Sequence, residues 1–523
     1  MRKMFSILLA LLILLACKQE PTTFYVLETT DLHGEFGPAM SSAAGYIRQI
    51  QNQHGDDLIL LDCGDCFQGS PEVFYYNGID TTATHIYSQF FNWFPYTALG
   101  VGNHDFEAGR DVFERVYADV KMPVLCANIV DEKTEKPIFE PYTIVRKKGY
   151  KIAILGLVTT SALEWIPENL RGGATLVPVS EAAAYWTDYI YKKEDPDVFI
   201  GLFHLGMDAE DKDSARWVAR NIPGIHLICS GHIHKAGTGY VVNNQGDSVC
   251  IMGAGTRASH VGEALISVTP TDKGKPTVRV TAEVIPTQNY MTNLEYDQLM
   301  APFLQKAGNY YKTSICVIDT TLYSRDALIG PSGWMDFLHK SFRTIAESMG
   351  PYGVDFTIAS PSSRNAVLEK GPLSVKDFIS IYPYENTLSI VEMTGREIKD
   401  YMEYAYSLAI EKPDDPIYNF DSVSGLHYNV HKDKPYGERV EIIQMADDKS
   451  YYPERRYHVA MTTFRALGGG GHLSKGLHWS MEKMRARCIA GSEKSIRASL
   501  IEIYSKDTVD TRPLEQWCYI SAE

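Results

Sequence analysis

Gly102-Asn103-His104-Asp105-Phe106-Glu107 closes the apolar run Tyr96-Thr97-Ala98-Leu99-Gly100-Val101, and this polar loop decides how the rest of the chain is read. An amide, an imidazole and carboxylates at the end of a core strand are costly unless they are paired or do chemistry. Four further polar sets stand at the ends of apolar runs. Asp31-Leu32-His33-Gly34 follows Phe24-Tyr25-Val26-Leu27, and Asp62-Cys63-Gly64-Asp65 follows Leu58-Ile59-Leu60-Leu61. His204 closes Val198-Phe199-Ile200-Gly201-Leu202-Phe203, and Gly231-His232-Ile233-His234 follows Leu227-Ile228-Cys229. In an open α/β sheet, ligands collect outside the carboxyl ends of the strands, so five such ends can share one crevice.

Two aspartates, an asparagine and four histidines among these sets are more metal-ligand side chains than one cation needs. They suit two cations sharing a carboxylate. Hard oxygen and imidazole donors without thiolate fit Mn²⁺, Zn²⁺, Fe²⁺ or Mg²⁺ and do not choose among them. His226 and His260 are read as structural.

The order Asp-x-His, Gly-Asp, Gly-Asn-His-Asp, a lone His and Gly-His-x-His resembles the calcineurin-like metallophosphoesterases. Together with its C-terminal half, the chain resembles the secreted 5′-nucleotidase and 2′,3′-cyclic-nucleotide phosphodiesterase family. That resemblance implies an α/β fold: a four-layered α/β sandwich followed by a smaller α/β substrate-binding domain. It implies one metal on Asp31, His33, Asp65 and His234, and a second on Asp65, Asn103, His204 and His232. Asp65 is the bridge in preference to Asp62, because Gly64-Asp65 matches the family motif. His104 is expected to act on the phosphoryl or leaving group, oriented by Glu107, with Asp105 as the rival partner. The alternative is that either carboxylate caps the helix that follows.

At the N-terminus, Arg2 and Lys3 precede the apolar run Phe5 to Leu15, too short for a comfortable membrane span. Leu14-Leu15-Ala16-Cys17 resembles the bacterial lipobox, so residues 1–17 are expected to be a lipoprotein signal, with a lipid on Cys17 as the membrane partner. The expected location is a bacterial cell envelope, periplasmic or cell-surface. Eight cysteines remain after Cys17, and spacing cannot pair them. Cys63 and Cys66 are expected to be structural thiols or a local disulfide.

Across 523 residues, 45% hydrophobic side chains allow two ordinary domains. The net charge of −15 argues against a nucleic-acid polymer as partner, so a small nucleotide must meet local positive charge. The expected boundaries are 22–290 for the metallophosphoesterase domain, 291–314 for a linker helix kinked or ended in its first part by Pro302, and 315–523 for the substrate-binding domain. Lys151–Val158 reads as a core strand and Ser180 as the cap of a helix. Thr394-Gly395-Arg396-Glu397 reads as a capping box.

Two loops in the second half carry aromatics: Tyr418-Asn419-Phe420-Asp421 and Thr463-Phe464, the latter running into Gly468-Gly469-Gly470-Gly471. The family resemblance makes Phe420 and Phe464 the rings that sandwich a nucleobase, with Gly468, Gly469 and Gly470 approaching it. It places Arg364 in a phosphate-binding loop, although Ser360-Pro361-Ser362-Ser363 departs from the family's glycine-rich lead-in. Tyr382-Pro383-Tyr384-Glu385-Asn386 resembles the cyclic-phosphodiesterase and 3′-nucleotidase branch and adds Asn386 to the substrate-binding set. Gly470 stands where many 5′-nucleotidases carry an acidic residue. The expected activity is metal-dependent hydrolysis of 2′,3′-cyclic and 3′-nucleotides by a metal-activated water. The alternatives are a 5′-nucleotidase and a surface binding protein with structural metals.

Overall fold

The structure is a computed structural model that describes residues 20–166, 171–206, 212–271, 274–384, 386–504, 508–509 and 511–521. The expected signal segment 1–17, Cys17 included, lies outside the described residues. Among those residues no helix is long and apolar enough to cross a membrane. The chain divides into two compact units, the first ending at Ala307 and the second starting at Gly308.

The first unit is built on β1 (Thr22–Thr29), β2 (Leu58–Asp62), β3 (Ala98–Gly100), β4 (Val124–Leu125), β5 (Tyr142–Lys147) and β6 (Tyr150–Val158). Beyond them follow β7 (Val198–His204), β8 (Leu227–Ser230), β9 (Ala236–Val242), β10 (Ser248–Ala254), β11 (His260–Thr269) and β12 (Thr277–Pro286). One six-stranded sheet runs β12-β11-β1-β2-β3-β4 and the other β9-β10-β8-β7-β6-β5. β1 to β4 are parallel in the first sheet; β6, β7, β8 and β10 are parallel in the second.

The alternation of side chains along a strand explains the layering. Val198, Ile200 and Leu202 of β7 join Phe24, Val26, Ile59 and Leu61 in a core between the sheets. Phe199 and Phe203 point the other way, against Ala183, Ile190, Val218 and Ala219 of the helices Val179–Glu194 and Ala215–Asn221. Every residue of β7 is therefore buried, and its sequence is a continuous apolar run instead of an alternating one. Pro38–His54 and Ile86–Trp93 pack beside the first sheet, the latter through Phe90 and Phe91 against Tyr96. Helix, sheet, sheet, helix is the four-layered sandwich.

The second unit centres on a five-stranded sheet in the order Ser422–Ser424, Phe356–Ala359, Arg456–Thr462, Leu388–Thr394, Cys488–Gly491. Thr394 caps Gly395–Glu411 as a capping box with Glu397. One local expectation fails and another loses one of its two alternatives. Pro178 takes the N-cap before Val179, leaving Ser180 inside the first turn. Leu294–Tyr311 runs through Pro302 without ending, because Tyr296, Met300 and Ala307 are buried on either side of the one lost hydrogen bond. The junction between the units falls inside this helix.

Candidate active site

The parallel strands β1, β2, β3, β7 and β8 all deliver their C-terminal residues to one crevice. Asp31, His33, Asp65 and His234 each bring a donor atom within 4.8 Å of the others. Asp31 Oδ1 lies 3.3 Å from His234 Nε2, and the Nε2 atoms of His33 and His234 are 3.0 Å apart. On the other side of Asp65, its Oδ2 is 3.1 Å from His204 Nε2, while His232 Nδ1 is 2.8 Å from Asn103 Oδ1. All seven donors are thus assembled, with Asp65 between the two groups. Asp62 is turned away, accepting from Thr29 Oγ1 at 2.6 Å and from the Gly64 N–H.

Three features fit this crevice to cations. Asp31, His33, Asp65, His232 and His234 all have left-handed backbone, with φ of 49, 45, 62, 79 and 58°. Strain of this kind costs about 1–3 kcal/mol per residue and persists where a site is held in a functional geometry. His204 Nε2 is fully buried and makes no hydrogen bond, since Asp65 lies off the line such a bond needs. The donor set is oxygen and imidazole only. Burial alone would discharge His204, yet Asp65 and Asp31 push its pKa up to about 10. Burial opposes ionisation of Asp65 too, but His204, His104 and His33 hold it well below the usual carboxylate range. Burial without full compensation drives His33 down to about 4. A carboxylate field that retains protons on imidazoles attracts a cation by the same physics.

His104 stands at the edge of this field. Its backbone N–H donates to Asp65 Oδ1 at 2.8 Å and its Nδ1 lies 2.5 Å from Glu107 Oε2. Burial works against its charge, but Asp65 and Glu107 overcome it and push its pKa up to about 9. Asp105 is not its partner: both oxygens accept backbone N–H groups, from Gly102, Asp65, Cys66 and Phe67, at 2.7–2.9 Å. Asp105 caps the short helix Asn103–Glu107 and holds the Asp65 loop against it. Cys63 and Cys66 are buried free thiols, like the remaining described cysteines except the half-buried Cys488 and exposed Cys518, so the local disulfide is not formed.

In the second unit the aromatic loops depart from expectation. Phe420 is only 8% exposed, packed against Leu408 and Ile417, with the Arg364 guanidinium 5.6 Å above its ring. Its neighbour Tyr418 is 37% exposed and Phe464 41%. The ring that the first loop turns outward is therefore Tyr418, because the apolar Phe420 is the better filler of the space beside Leu408. Tyr384, from the segment carrying Asn386, meets Tyr418 edge-on at 6.5 Å, and Asn386 donates to the Tyr382 hydroxyl at 3.2 Å. Arg364 donates to the carbonyls of Pro413 and Asp415, at 2.5 and 2.7 Å. Gly468 and Gly470 take φ of 95 and 70°. Arg465, which sequence reasoning passed over, lies beneath these loops at 4% exposure. Its only sequence signal is a cation inside an otherwise apolar and glycine-rich stretch.

Comparison with known proteins gives the same two-part division. Residues 24–236 match the calcineurin-like phosphoesterases and residues 312–475 the 5′-nucleotidase C-terminal domain. A 2′,3′-cyclic-nucleotide 2′-phosphodiesterase/3′-nucleotidase of Salmonella typhimurium is 24% identical over 90% of this chain and 85% of its own. A 5′-nucleotidase of Vibrio cholerae is 25% identical over 86% and 85%. Among solved structures, a putative 5′-nucleotidase from Staphylococcus aureus shares the fold with a TM-score of 0.71 at 16% identity, covering 96% of this chain and all of that one.

Proposed function

Because the chain belongs to the calcineurin-like phosphoesterases that carry a 5′-nucleotidase C-terminal domain, we propose that it opens 2′,3′-cyclic nucleotides at the 2′ ester and then releases the 3′ phosphate. It is a metal-dependent hydrolase of phosphoesters, and the observation that carries the reading is the crevice of seven donors with His104 and Glu107 at its edge. We assign Asp31, His33, Asp65 and His234 to one cation, and Asp65, Asn103, His204 and His232 to the other. Bound there, two divalent cations would neutralise phosphoryl oxygens and would supply a water of lowered pKa.

The remaining steps belong to the chain. Glu107 accepts from the Nδ1–H of His104 and stabilises the doubly protonated ring, whose Nε2–H is directed away from the carboxylate. His104 then stabilises charge building on the phosphoryl group and gives the Nε2 proton to the departing 2′ or 3′ alkoxide. Tyr418 and Phe464 offer outward ring faces for the base, and Gly468, Gly469 and Gly470 permit close backbone approach. Asn386 stands beside this surface, and Arg364, over the Phe420 ring, ties it to the carbonyls of Pro413 and Asp415. The branch assignment is supported by relatives bearing both activities over most of their length, and by Gly470. A Cβ there would lie 2.1 Å from Arg465 Nη1, leaving no room for the acidic residue that many 5′-nucleotidases carry. We further propose a lipid on Cys17 that anchors the protein in the cell envelope, on the periplasmic side or at the cell surface.

Phosphate release with Mn²⁺ from 3′-AMP, 5′-AMP and, with product separation, 2′,3′-cyclic AMP tests the branch. Preference for the cyclic and 3′ substrates is expected. Preference for 5′-AMP favours the second reading, a 5′-nucleotidase, which the Vibrio cholerae relative supports.

A further inference from the structure

The two outward rings of the second unit sit on backbone held by one buried cation. Arg465 Nε and Nη2 grip both oxygens of Asp421 at 2.8 and 3.0 Å. Nη2 also donates to the Tyr418 carbonyl, and Nη1 to the Gly469 carbonyl, each at 2.6 Å. Tyr401 donates its hydroxyl to Asp421, fixing the acceptor from the helix Gly395–Glu411. The Phe464 ring rests on Gly469, where a Cβ would lie 2.5 Å from it. One guanidinium therefore fixes the carbonyl behind Tyr418 and the glycine under Phe464 at the same time.

We propose that Arg465 is a positioning residue that sets the gap between the Tyr418 and Phe464 rings and so determines how tightly a nucleobase is held. The proposal rests on reading those rings as the base-binding surface. Two faces stack on one base only when roughly 7 Å apart, twice the ~3.5 Å contact distance, so a small loop shift loses one of them. The planar fork of arginine meets three acceptors in fixed geometry. A lysine keeps the charge beside Asp421 but cannot span both carbonyls. Gly470 is part of the same device: its φ of 70° and its contact with Nη1 leave no space for a side chain.

The test compares wild type, R465M, R465K and G470A, loaded with Mn²⁺, on 3′-AMP and on p-nitrophenyl phosphate, which has no nucleobase. Thermal melting and titration with adenosine accompany the kinetics. The ratio of kcat/KM for 3′-AMP to that for p-nitrophenyl phosphate is expected to fall roughly tenfold to a hundredfold in R465M, the loss of one stacking face, carried by KM. R465K should fall between, G470A should follow R465M by displacing the guanidinium, and adenosine affinity should drop in step. An unchanged ratio in folded variants, or equal loss on both substrates, overturns the proposal and leaves Arg465 a structural ion pair. If R465M does not fold, R465K decides. A wild type that binds no adenosine and favours 3′-AMP no more than p-nitrophenyl phosphate removes the base-binding surface itself, and the proposal with it.

Discussion

Two carboxylates two positions apart, Asp105 and Glu107, divide their labour according to where the helix turns them. Asp105 faces inward and accepts backbone N–H groups, whereas Glu107 reaches the imidazole of His104. The variants should separate accordingly. His104→Ala should lower kcat by ~10²–10³-fold with cation content unchanged, because it removes a proton donor and a positive charge from the transition state. Full turnover in that variant would sink the proposed mechanism. Glu107→Gln should cost about tenfold to a hundredfold with little change in melting temperature, as for other residues that orient a reacting group. Asp105→Asn should instead act on stability, by about 1–3 kcal/mol in a denaturant titration, since an amide presents N–H to donors that need an acceptor. The sequence named both carboxylates as partners of His104. Only the direction each takes from the helix, which no spacing rule fixes without knowing where the helix begins, separates them.

Strand ends carry the site, and the strands were legible because their ends are chemically abrupt: Phe203 to His204, Leu61 to Asp62 and Ile228-Cys229 to Gly231-His232. The loop conformations were not. Left-handed backbone at five donors is set by contacts such as the Asp31 N–H to Gly64 carbonyl and the Arg257 N–H to Asp31 carbonyl, which join segments far apart in sequence. Aromatic choice in the second unit was illegible for a related reason. Tyr418 and Phe420 have the same spacing signal, and only the packing of Phe420 on Leu408 tells which turns outward. Where two strand ends cross, glycine is required: a Cβ on Gly102 would lie 2.1 Å from Asp65 Oδ1. Gly102→Ala should therefore displace Asp65, and its apparent Mn²⁺ affinity, read by activity against free cation, should weaken by more than tenfold. Unaltered affinity would show that the loop accommodates the methyl without moving the carboxylate.

For the protein as a whole, burial leaves several histidines neutral. It pulls His85 and His339 down to about 3, and His226 and His472 to about 4. The unfolded chain takes up these protons near pH 6.5, so below that value it binds more protons than the folded state and stability falls with pH. The loss approaches about 1.4 kcal/mol per pH unit for each histidine and continues until the folded-state values are reached. Buried Asp62 and Glu28, whose carboxyls burial pushes up, oppose this in the global midpoint, so the check is made on the rings themselves: in chelator the NMR shifts of His85, His226, His339 and His472 should not titrate between pH 7 and pH 5, and titration near 6.5 would contradict neutral burial. Restoring Mn²⁺ at pH 7 should raise the melting temperature as well as activity, because a ligand of the folded state alone stabilises it. An α/β layer domain was readable from alternating apolar runs and helical stretches and its four layers only from the family resemblance, while the uninterrupted course of Leu294–Tyr311 through Pro302 depended on burial that composition does not reveal. The free thiols bear on handling. Folding of the described residues draws on no oxidative pairing, so a chain lacking its first 17 residues is suited to production in a reducing cytoplasm. There, exposed Cys518 offers a single accessible handle for a maleimide dye, beside six cysteines shielded in the interior and a half-buried Cys488.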